Sequence, residues 1–215
     1  MVLGLDPKDP GRELYASSEP RHVTALDIHD EKQTIAIGSR DGYVACIEKD
    51  GTQRWRAPAE GYVVAVTFQG LSENVVAASL DGSLTCYDAK GKALWTRHSP
   101  VGFRFVHASA RGDIVAAAEL SGRVFLYSAD GELLAETEPM PGVIRAMAFA
   151  PDGGAVIVGT SAAAIEAATV DDRVQARHGA LEAAVQDLVA ARSQGDVTAL
   201  AGALEAVLAG VSADD

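Results

Sequence analysis

Short apolar runs recur along this chain at intervals of about 40 residues. A first run, which predicts a strand, occurs four times, at Val23–Ile28, Val63–Phe68, Phe103–Ala108 and Val143–Phe149. A second, nearly continuous apolar run follows each of them, at Thr34–Ile37, Asn74–Ala78, Asp113–Ala118 and Ala155–Val158. Continuous apolar runs of this length are typical of strands that are covered on both faces. The pattern therefore predicts four pairs of buried strands.

Glycine turns and tryptophans repeat with the same period. The matching positions are Asp41-Gly42, Asp81-Gly82 and Ser121-Gly122, then Gly51, Gly91 and Gly131, then Trp55, Trp95 and Ala135. Glycine adopts positive φ without a Cβ clash, so these positions indicate turns. The turns delimit third strands at Tyr43–Ile47, Ser83–Tyr87 and Arg123–Tyr127, and fourth strands around Trp55, Trp95 and Ala135. Units of four strands and about 40 residues predict the blades of an all-β propeller.

The N-terminal residues carry half of such a unit. Val2–Leu5 corresponds to a third strand, and Gly11 with Leu14-Tyr15 corresponds to a turn and a fourth strand. We expect this pair to complete the C-terminal blade, which leaves no sheet edge open. The strands of residues 1–160 then amount to four blades. They either close within one chain or are exchanged between two chains to give an eight-bladed ring, and the second apolar surface of the tail favours a multimer.

One segment is similar to a known family. Tyr87-Asp88-Ala89-Lys90-Gly91-Lys92-Ala93-Leu94-Trp95 resembles the tryptophan-docking repeat of quinoprotein-like (PQQ-like) β-propellers, and the likeness extends over roughly residues 2–160. The WD40 family is the neighbouring alternative, but the Gly-His and Trp-Asp dipeptides of WD40 blades do not occur in the sequence. The resemblance implies a propeller that acts as an interaction platform. The cofactor and calcium ligands of the quinone-dependent members do not map onto this chain, so no catalytic residue, cofactor or metal is carried over.

The repeat is lost after residue 160. From Ser161 the chain is rich in alanine, which favours helix, and both glycine turn positions are replaced. We predict a helical tail over 161–215, with a helical hairpin spanning 161–212. A stripe with helical spacing marks its second helix and is the predicted protein-interaction site: Leu200, Leu204, Val207, Leu208 and Val211. The alternative keeps 162–178 as two poor strands.

Charge and composition exclude several classes of function. The formal net charge of −12 repels phosphate backbones and argues against a nucleic-acid partner. No window approaches 18 uninterrupted apolar residues, and the acidic tail argues against binding to an anionic membrane. The segment Met1–Pro10 does not read as a signal peptide, so we expect a cytoplasmic protein. Lysine is scarce beside arginine, which suits either high salt or an arginine-biased codon usage.

Isolated polar residues offer few candidate sites. The segment from Asp27 to Glu31 is a candidate cation site, and a solvated turn is its plainer interpretation. His107, Arg104 and Arg145 fall in first strands, where they would line a channel or serve a structural role. Cys46 and Cys86 occupy equivalent repeat positions, which favours two reduced thiols in the core over a metal pair.

These patterns favour a non-enzymatic, intracellular interaction protein. We expect a propeller platform without a cofactor, whose tail helices drive homo-oligomerisation or dock into a larger complex. A ligand-binding or sensory propeller, with a small molecule or cation in the channel mouth, is the alternative, and a quinone-dependent enzyme is less favoured.

Overall fold

The computed structural model describes the backbone of residues 2–6, 9–17, 22–162 and 165–169 and the side chains of residues 22–162. Within these residues the secondary structure consists of strands and turns. The strands have these bounds in chain order: β1 Val2–Asp6, β2 Asp9–Ser17, β3 Val23–His29, β4 Thr34–Ser39, β5 Tyr43–Ile47, β6 Gln53–Pro58, β7 Val63–Phe68, β8 Val75–Ser79, β9 Ser83–Tyr87, β10 Ala93–His98, β11 Phe103–Ala108, β12 Ile114–Glu119, β13 Val124–Ser128, β14 Leu133–Glu136, β15 Ile144–Phe149, β16 Ala155–Thr160 and β17 Ile165–Thr169.

The strands form consecutive antiparallel meanders. Strands β3–β6, β7–β10 and β11–β14 make three four-stranded sheets, which we call the first, second and third sheets, and each follows chain order from one edge to the other. Strands β15–β17 make a three-stranded fourth sheet, and β1 and β2 form a two-stranded sheet of their own. The predicted all-β fold of four-stranded antiparallel sheets is therefore confirmed, and the predicted strands match the observed ones to within two residues at nearly every end.

The fourth sheet differs from the prediction in its third strand. The segment from Ile165 to Thr169 is predicted to lie in the helical tail, but it forms β17 and pairs with β16 from Ala155↔Thr169 to Gly159↔Ile165, as the alternative with strands in 162–178 expects. It occupies the third-strand place that was expected for Val2–Leu5, while β1 pairs with β2 in a separate two-stranded sheet. The segment thus forms a third strand at the position that the 40-residue repeat predicts, although the glycine turn that precedes the other third strands is absent here. The first compact unit of the chain ends at Thr169, and the remainder of the hairpin predicted over 161–212 lies outside the described residues.

Adjacent sheets pack through small and β-branched side chains. Between the first and second sheets the buried cluster contains Ala36, Val44, Cys46, Trp55, Ala57, Val63, Val66, Phe68, Val75, Ala77 and Tyr87. Between the second and third sheets the equivalent cluster contains Val76, Ala78, Leu84, Cys86, Phe103, Val106, Val115, Ala117 and Tyr127. Both clusters include one cysteine, and both cysteines are free and buried. The prediction of two reduced core thiols is confirmed.

Each tryptophan lies on a glycine turn of the following sheet. A Cβ added at Gly91 would lie 2.8 Å from Cε3 of Trp55, and one added at Gly131 would lie 2.6 Å from Cδ2 of Trp95. Both glycines have positive φ, of 80° and 83°. A side chain there would therefore meet both backbone strain and the indole ring. The tryptophans serve packing between sheets, as the sequence analysis expected.

Candidate functional site: two ends of the first strands

Four large apolar side chains are exposed at the end of the sheets where the first strands begin. They are Tyr62, Leu80, Leu120 and Val143, which we call the apolar row. Tyr62 and Val143 directly precede β7 and β15, while Leu80 and Leu120 lie in the turns after β8 and β12. Exposed apolar residues that gather on one surface are typical of interaction sites, whereas scattered ones are ordinary.

The same backbone connection positions the row in successive units. The amide of Leu80 donates to the carbonyl of Tyr62 over 2.9 Å, and the amide of Leu120 donates to the carbonyl of Gly102 over 2.9 Å. These bonds fasten the turn after each second strand to the start of its first strand. Arg40 extends the row to the first sheet, since its guanidinium lies 5.8 Å from the centre of the Tyr62 ring. A cation over an aromatic ring at this distance attracts weakly and orders both side chains.

The opposite end of the first strands contains a cleft of about 290 Å³. Its lining comes from the ends of β3, β7 and β11 and the turns that follow: Asp27, Ile28, His29, Asp30, Glu31, Thr67, Phe68, Gly70, Leu71, Ala108, Ser109 and Ala110. The predicted segment from Asp27 to Glu31 is therefore one wall of this cleft. A cleft of this size is at the lower limit of pockets that hold small ligands.

The polar groups of the cleft hold the first and second sheets together. The Oδ2 atom of Asp27 accepts a hydrogen bond of 2.7 Å from the amide of Phe68, and its Oδ1 accepts one of 2.9 Å from the amide of Ile28. His29 is buried, packs edge-on against Phe68 with ring centres 5.1 Å apart, and places Nε2 3.3 Å from the carbonyl oxygen of Leu71. The segment from Asp27 to Glu31 is therefore more than a solvated turn, because the side chains of Asp27 and His29 have hydrogen-bond partners within the fold.

His107 lies near the same end of the third sheet. The surrounding strands desolvate its ring and lower its pKa below the ordinary value, although one side of the residue remains open to solvent. The negative charge of Asp27 acts in the opposite direction and favours the protonated ring. The structure therefore brings Asp27 of β3 within electrostatic reach of His107 of β11. Their spacing in the sequence did not indicate this.

Arg104 and Arg145 occupy the same repeat position. Each falls at an irregularity of the first-strand register, between Phe103 and Phe105 in β11 and between Ile144 and Ala146 in β15. A strict 40-residue count would place them one position apart, but one extra residue separates the third and fourth first strands, so they are equivalent. Arg104 is half-buried with its guanidinium 5.5 Å from the Phe105 ring, and Arg145 is exposed.

No group of three or more His, Cys, Asp or Glu side chains within the described residues is arranged to hold a metal ion.

Burial raises the pKa of the Cys86 thiol to about 12 and that of Cys46 to about 11, so both thiols are protonated at neutral pH. Among the residues described, no helix has the length and apolar character that a membrane crossing requires.

Comparison with known proteins decides the family. A model of the family described as outer membrane protein assembly factor BamB, built on PQQ-like repeats, matches residues 28–200. The chain belongs to this family. The β-propeller repeat and the resemblance to PQQ-like proteins are thereby confirmed. The match of the BamB-like family model continues past residue 160, where the sequence analysis placed the end of the propeller blades.

Solved structures show the same fold. The chain is similar to the computationally designed Ika4 protein, with a TM-score of 0.66 and 19% identity over 74% of this chain and 99% of that one. It is also similar to the computationally designed Ika8 protein, with a TM-score of 0.65 and 18% identity over 74% of this chain. The chain spans about half of Ika8, at 49% of its length. No curated protein matches the chain.

The apolar row is not among the interaction residues predicted from the sequence. Its predicted stripe of Leu200, Leu204, Val207, Leu208 and Val211 lies outside the described residues. A signal for the row was present, because Leu80 and Leu120 recur at a spacing of 40, directly before a turn. Leucine is unusual in a solvent-exposed turn, and its recurrence at one repeat position distinguishes it from a scattered exposed residue.

Proposed function

We propose that this BamB-like chain is a non-enzymatic protein-interaction module that works as a component of a larger protein assembly. The apolar row carries the proposal. Tyr62, Leu80, Leu120 and Val143 are exposed at one end of three successive sheets, where turns of identical hydrogen bonding hold them. A repeated structure that presents apolar side chains at the same end of successive sheets suits a partner with complementary apolar side chains.

The family description supports an assembly role. It names an outer membrane protein assembly factor, a protein that acts with other proteins. For this chain we propose the general part of that role, binding to protein partners through a surface of the sheets. The partner side chains that fit the row are aliphatic or aromatic, because the row offers one phenol ring and three aliphatic side chains.

The test compares two double variants of matched chemistry. Leu80→Asp with Leu120→Asp places charge in the row, while Leu94→Asp with Leu133→Asp places it on exposed leucines of fourth strands. The tagged full chain is used to capture partners from its native host. We expect a partner to bind the wild type and the Leu94/Leu133 variant equally and the Leu80/Leu120 variant at least tenfold less. Equal capture by both variants would reject the row as the binding surface.

The tail stripe remains a separate proposal for assembly. An amphipathic helix must bury its apolar side against something. If Leu200, Leu204, Val207, Leu208 and Val211 do this between copies or with a partner, then Leu204→Asp with Leu208→Asp lowers the mass measured by light scattering. An unchanged mass would remove the stripe from the proposal.

The cytoplasmic location is also proposed. Cys46 and Cys86 are free and buried, which suits a reducing compartment. The family name refers to an outer membrane protein, so cell fractionation with an antibody against the chain is the deciding measurement. Recovery in the envelope fraction would overturn this location.

Binding of a small ligand in the cleft is the second candidate function. The cleft volume of about 290 Å³ favours it. The engagement of Asp27 and His29 in holding the sheets counts against it. A screen of divalent cations, quinones and small metabolites for a shift in melting temperature tests it, since a ligand of the native state stabilises by mass action. Leu71→Asp, which changes an exposed residue of the lining, should abolish a shift that arises in this cleft.

A further inference from the structure

One position of the repeat changes from neutral to cationic along the chain. In each of the four sheets, the pairing of the first strand with the second shifts around a single residue near the start of the first strand. In chain order these residues are Thr24, Val64, Arg104 and Arg145. The last two are cationic although the chain has a formal net charge of −12. The third and fourth sheets therefore carry a feature that the first two sheets lack.

The residue at this position faces the sheet that follows. The hydroxyl of Thr24 donates a hydrogen bond of 2.5 Å to the carbonyl oxygen of Val63, the first residue of β7. The next residue, Ala25, packs against the buried cluster between the first and second sheets. By this equivalence, Arg104 and Phe105 face the fourth sheet, and the guanidinium of Arg104 lies 5.5 Å from the centre of the Phe105 ring. Arg104 is therefore directed toward the start of β15, the strand that carries the second arginine.

Neither of these arginines has an anionic partner among the described residues. Other arginines do, since Arg54 pairs with Glu73 over 2.5 Å and Arg123 pairs with Glu136 over 3.6 Å. The Nε atom of Arg104 is shielded from solvent and has no hydrogen-bond partner within the part of the chain that the structure describes. A buried donor without a partner is unfavourable, and more so when it belongs to a charged group. The arginine position of the third sheet is therefore left unsatisfied by the chain itself.

An anion would satisfy both arginines at once. β11 and β15 are the first strands of adjacent sheets and are in contact, so two positive charges lie on neighbouring strands at the same repeat position. Like charges that are close together repel, and an anion between them removes the repulsion. A carboxylate suits this position, because its two oxygens match the parallel donors of a guanidinium. A nucleic acid does not, because the net charge of −12 repels a phosphate backbone.

We propose that Arg104 and Arg145 bind an aspartate or glutamate side chain of a protein partner. Rotation of the half-buried Arg104 side chain toward Arg145 brings its unpartnered Nε–H to the carboxylate. The site adjoins the apolar row, because Arg145 follows Val143 by two residues and Arg104 follows Gly102, whose carbonyl accepts the amide of Leu120. The partner segment therefore combines an acidic residue with apolar neighbours. The assignment of the carboxylate to a protein rests on the proposed function, whereas the carboxylate site itself does not.

Titration of the full chain with two matched peptides tests the site. The probes are acetyl-Leu-Asp-Leu-amide and acetyl-Leu-Asn-Leu-amide, which differ in one charge. NMR follows the Nε–H signals of Arg104 and Arg145 at low salt. We expect the aspartate peptide to shift both signals and the asparagine peptide to bind about tenfold more weakly or less, because a carboxylate is the stronger acceptor for a guanidinium. Acetate alone should shift the same signals in the same direction.

Three glutamine variants locate the binding. Arg104→Gln and Arg145→Gln should each weaken binding of the aspartate peptide by about tenfold or more, since each removes one charged donor. The control is Arg123→Gln, because Arg123 is already paired with Glu136, and it should leave binding unchanged. Arg145 is exposed, so Arg145→Gln keeps the test valid if Arg104→Gln fails to fold. Arg145→Gln should also lower capture of partners from the native host.

Stability separates a binding role from a structural one. Arg104→Val introduces the residue that the second sheet has at this position, Val64. If the arginine serves binding, its removal eliminates an unsatisfied charged group, so the urea midpoint of unfolding should rise while peptide binding is lost. If the arginine serves the fold, the urea midpoint should fall, and that result would overturn the proposal.

Other results would also reject the site. They are equal binding of the two peptides, unshifted arginine signals, undiminished peptide binding by Arg145→Gln, and tighter binding of inorganic phosphate than of acetate. Undiminished partner capture by Arg145→Gln would reject the assignment to a protein partner. The apolar row is tested separately, because acetate has too little apolar surface to need it. If acetate shifts the arginine signals while capture does not depend on Leu80 and Leu120, the proposed function fails and the carboxylate site stands.

Discussion

The indole ring of Trp95 lies on the backbone of Gly131 in the following sheet, and its Nε1 donates a hydrogen bond of 2.9 Å to the carbonyl oxygen of Ala129. The contact joins the second sheet to the third at their fourth-strand edges, far from the first strands. Trp55 repeats the ring contact on Gly91, 40 residues earlier. Packing between sheets is thus set at the fourth-strand edge by tryptophan and glycine, and at the first strands by valine and phenylalanine side chains.

Substitution of the glycine under the tryptophan should be costly. Gly131→Ala places a Cβ 2.6 Å from Cδ2 of Trp95 at a residue with a φ of 83°. The strained backbone and the displaced ring should together lower the free energy of unfolding by about 2–4 kcal/mol in urea titration. Gly159→Ala is the control, because a Cβ at Gly159 would meet no atom of the described residues within 4 Å. Equal stability of the two variants would contradict the docking contact.

The two tryptophans should differ in their response to phenylalanine. Trp95→Phe removes the hydrogen bond to Ala129, whereas Nε1 of Trp55 is buried without a partner among the described residues. Both variants lose ring volume. Trp95→Phe should therefore cost about 1 kcal/mol more than Trp55→Phe, measured by urea unfolding. A larger loss for Trp55→Phe would indicate that its Nε1 has a partner in solution.

The hydrogen bond that Asp27 accepts from the amide of Phe68 should stabilise the contact between the first and second sheets. Asp27→Ala leaves the amide of Phe68 without its 2.7 Å acceptor and should lower the free energy of unfolding by about 1–3 kcal/mol. Asp27→Asn keeps an acceptor oxygen and should recover more than half of that loss. If alanine and asparagine destabilise equally in thermal melts, the charge rather than the hydrogen bond is responsible.

Stability should fall in alkali. Burial raises the pKa of Cys46 from 9.0 to about 11, and that of Cys86 from 9.0 to about 12. The folded state therefore binds these protons more tightly than the unfolded chain. The stabilisation is complete below pH 9 and is lost as the pH rises through the folded pKa values. The expected slope is at most about 1.4 kcal/mol per pH unit for each thiol.

Urea unfolding between about pH 9 and pH 11 measures this slope. Cys86→Ala should flatten it, while any cost of the lost side-chain volume should be the same at every pH. A slope that neither Cys86→Ala nor Cys46→Ala changes would show that the thiols do not carry it. Tyr87, whose pKa burial raises from 10.0 to about 12, would then be the group to replace, as Tyr87→Phe.

Local signals were sufficient for most of the fold. Gly42, Gly82 and Gly122 mark turns by their positive φ, and the apolar runs between them can form only short buried strands. The fourth sheet was predicted less well. The segment from Ile165 to Thr169 is rich in alanine and lacks a preceding glycine turn, so its intrinsic preference favours helix, yet pairing with β16 makes it a strand.

The candidate site was less predictable than the fold. Recurrence in sequence showed that Leu80 and Leu120 are equivalent, but their exposure depends on how each turn folds back on the start of its first strand. Spacing likewise could not bring Asp27 within the electrostatic reach of His107, because the two lie on different sheets.

Leu26 and Val66 show most clearly the difference between features that follow from local sequence and features that depend on long-range packing. Both positions can be assigned to the same place in a first strand from the 40-residue period alone, because hydrogen-bond register and side-chain alternation follow from local pattern. Nothing in that pattern distinguishes the buried valine from the exposed leucine. The difference arises because Val66 packs against the first sheet, whereas Leu26 remains exposed, and such long-range packing is not encoded by any local segment.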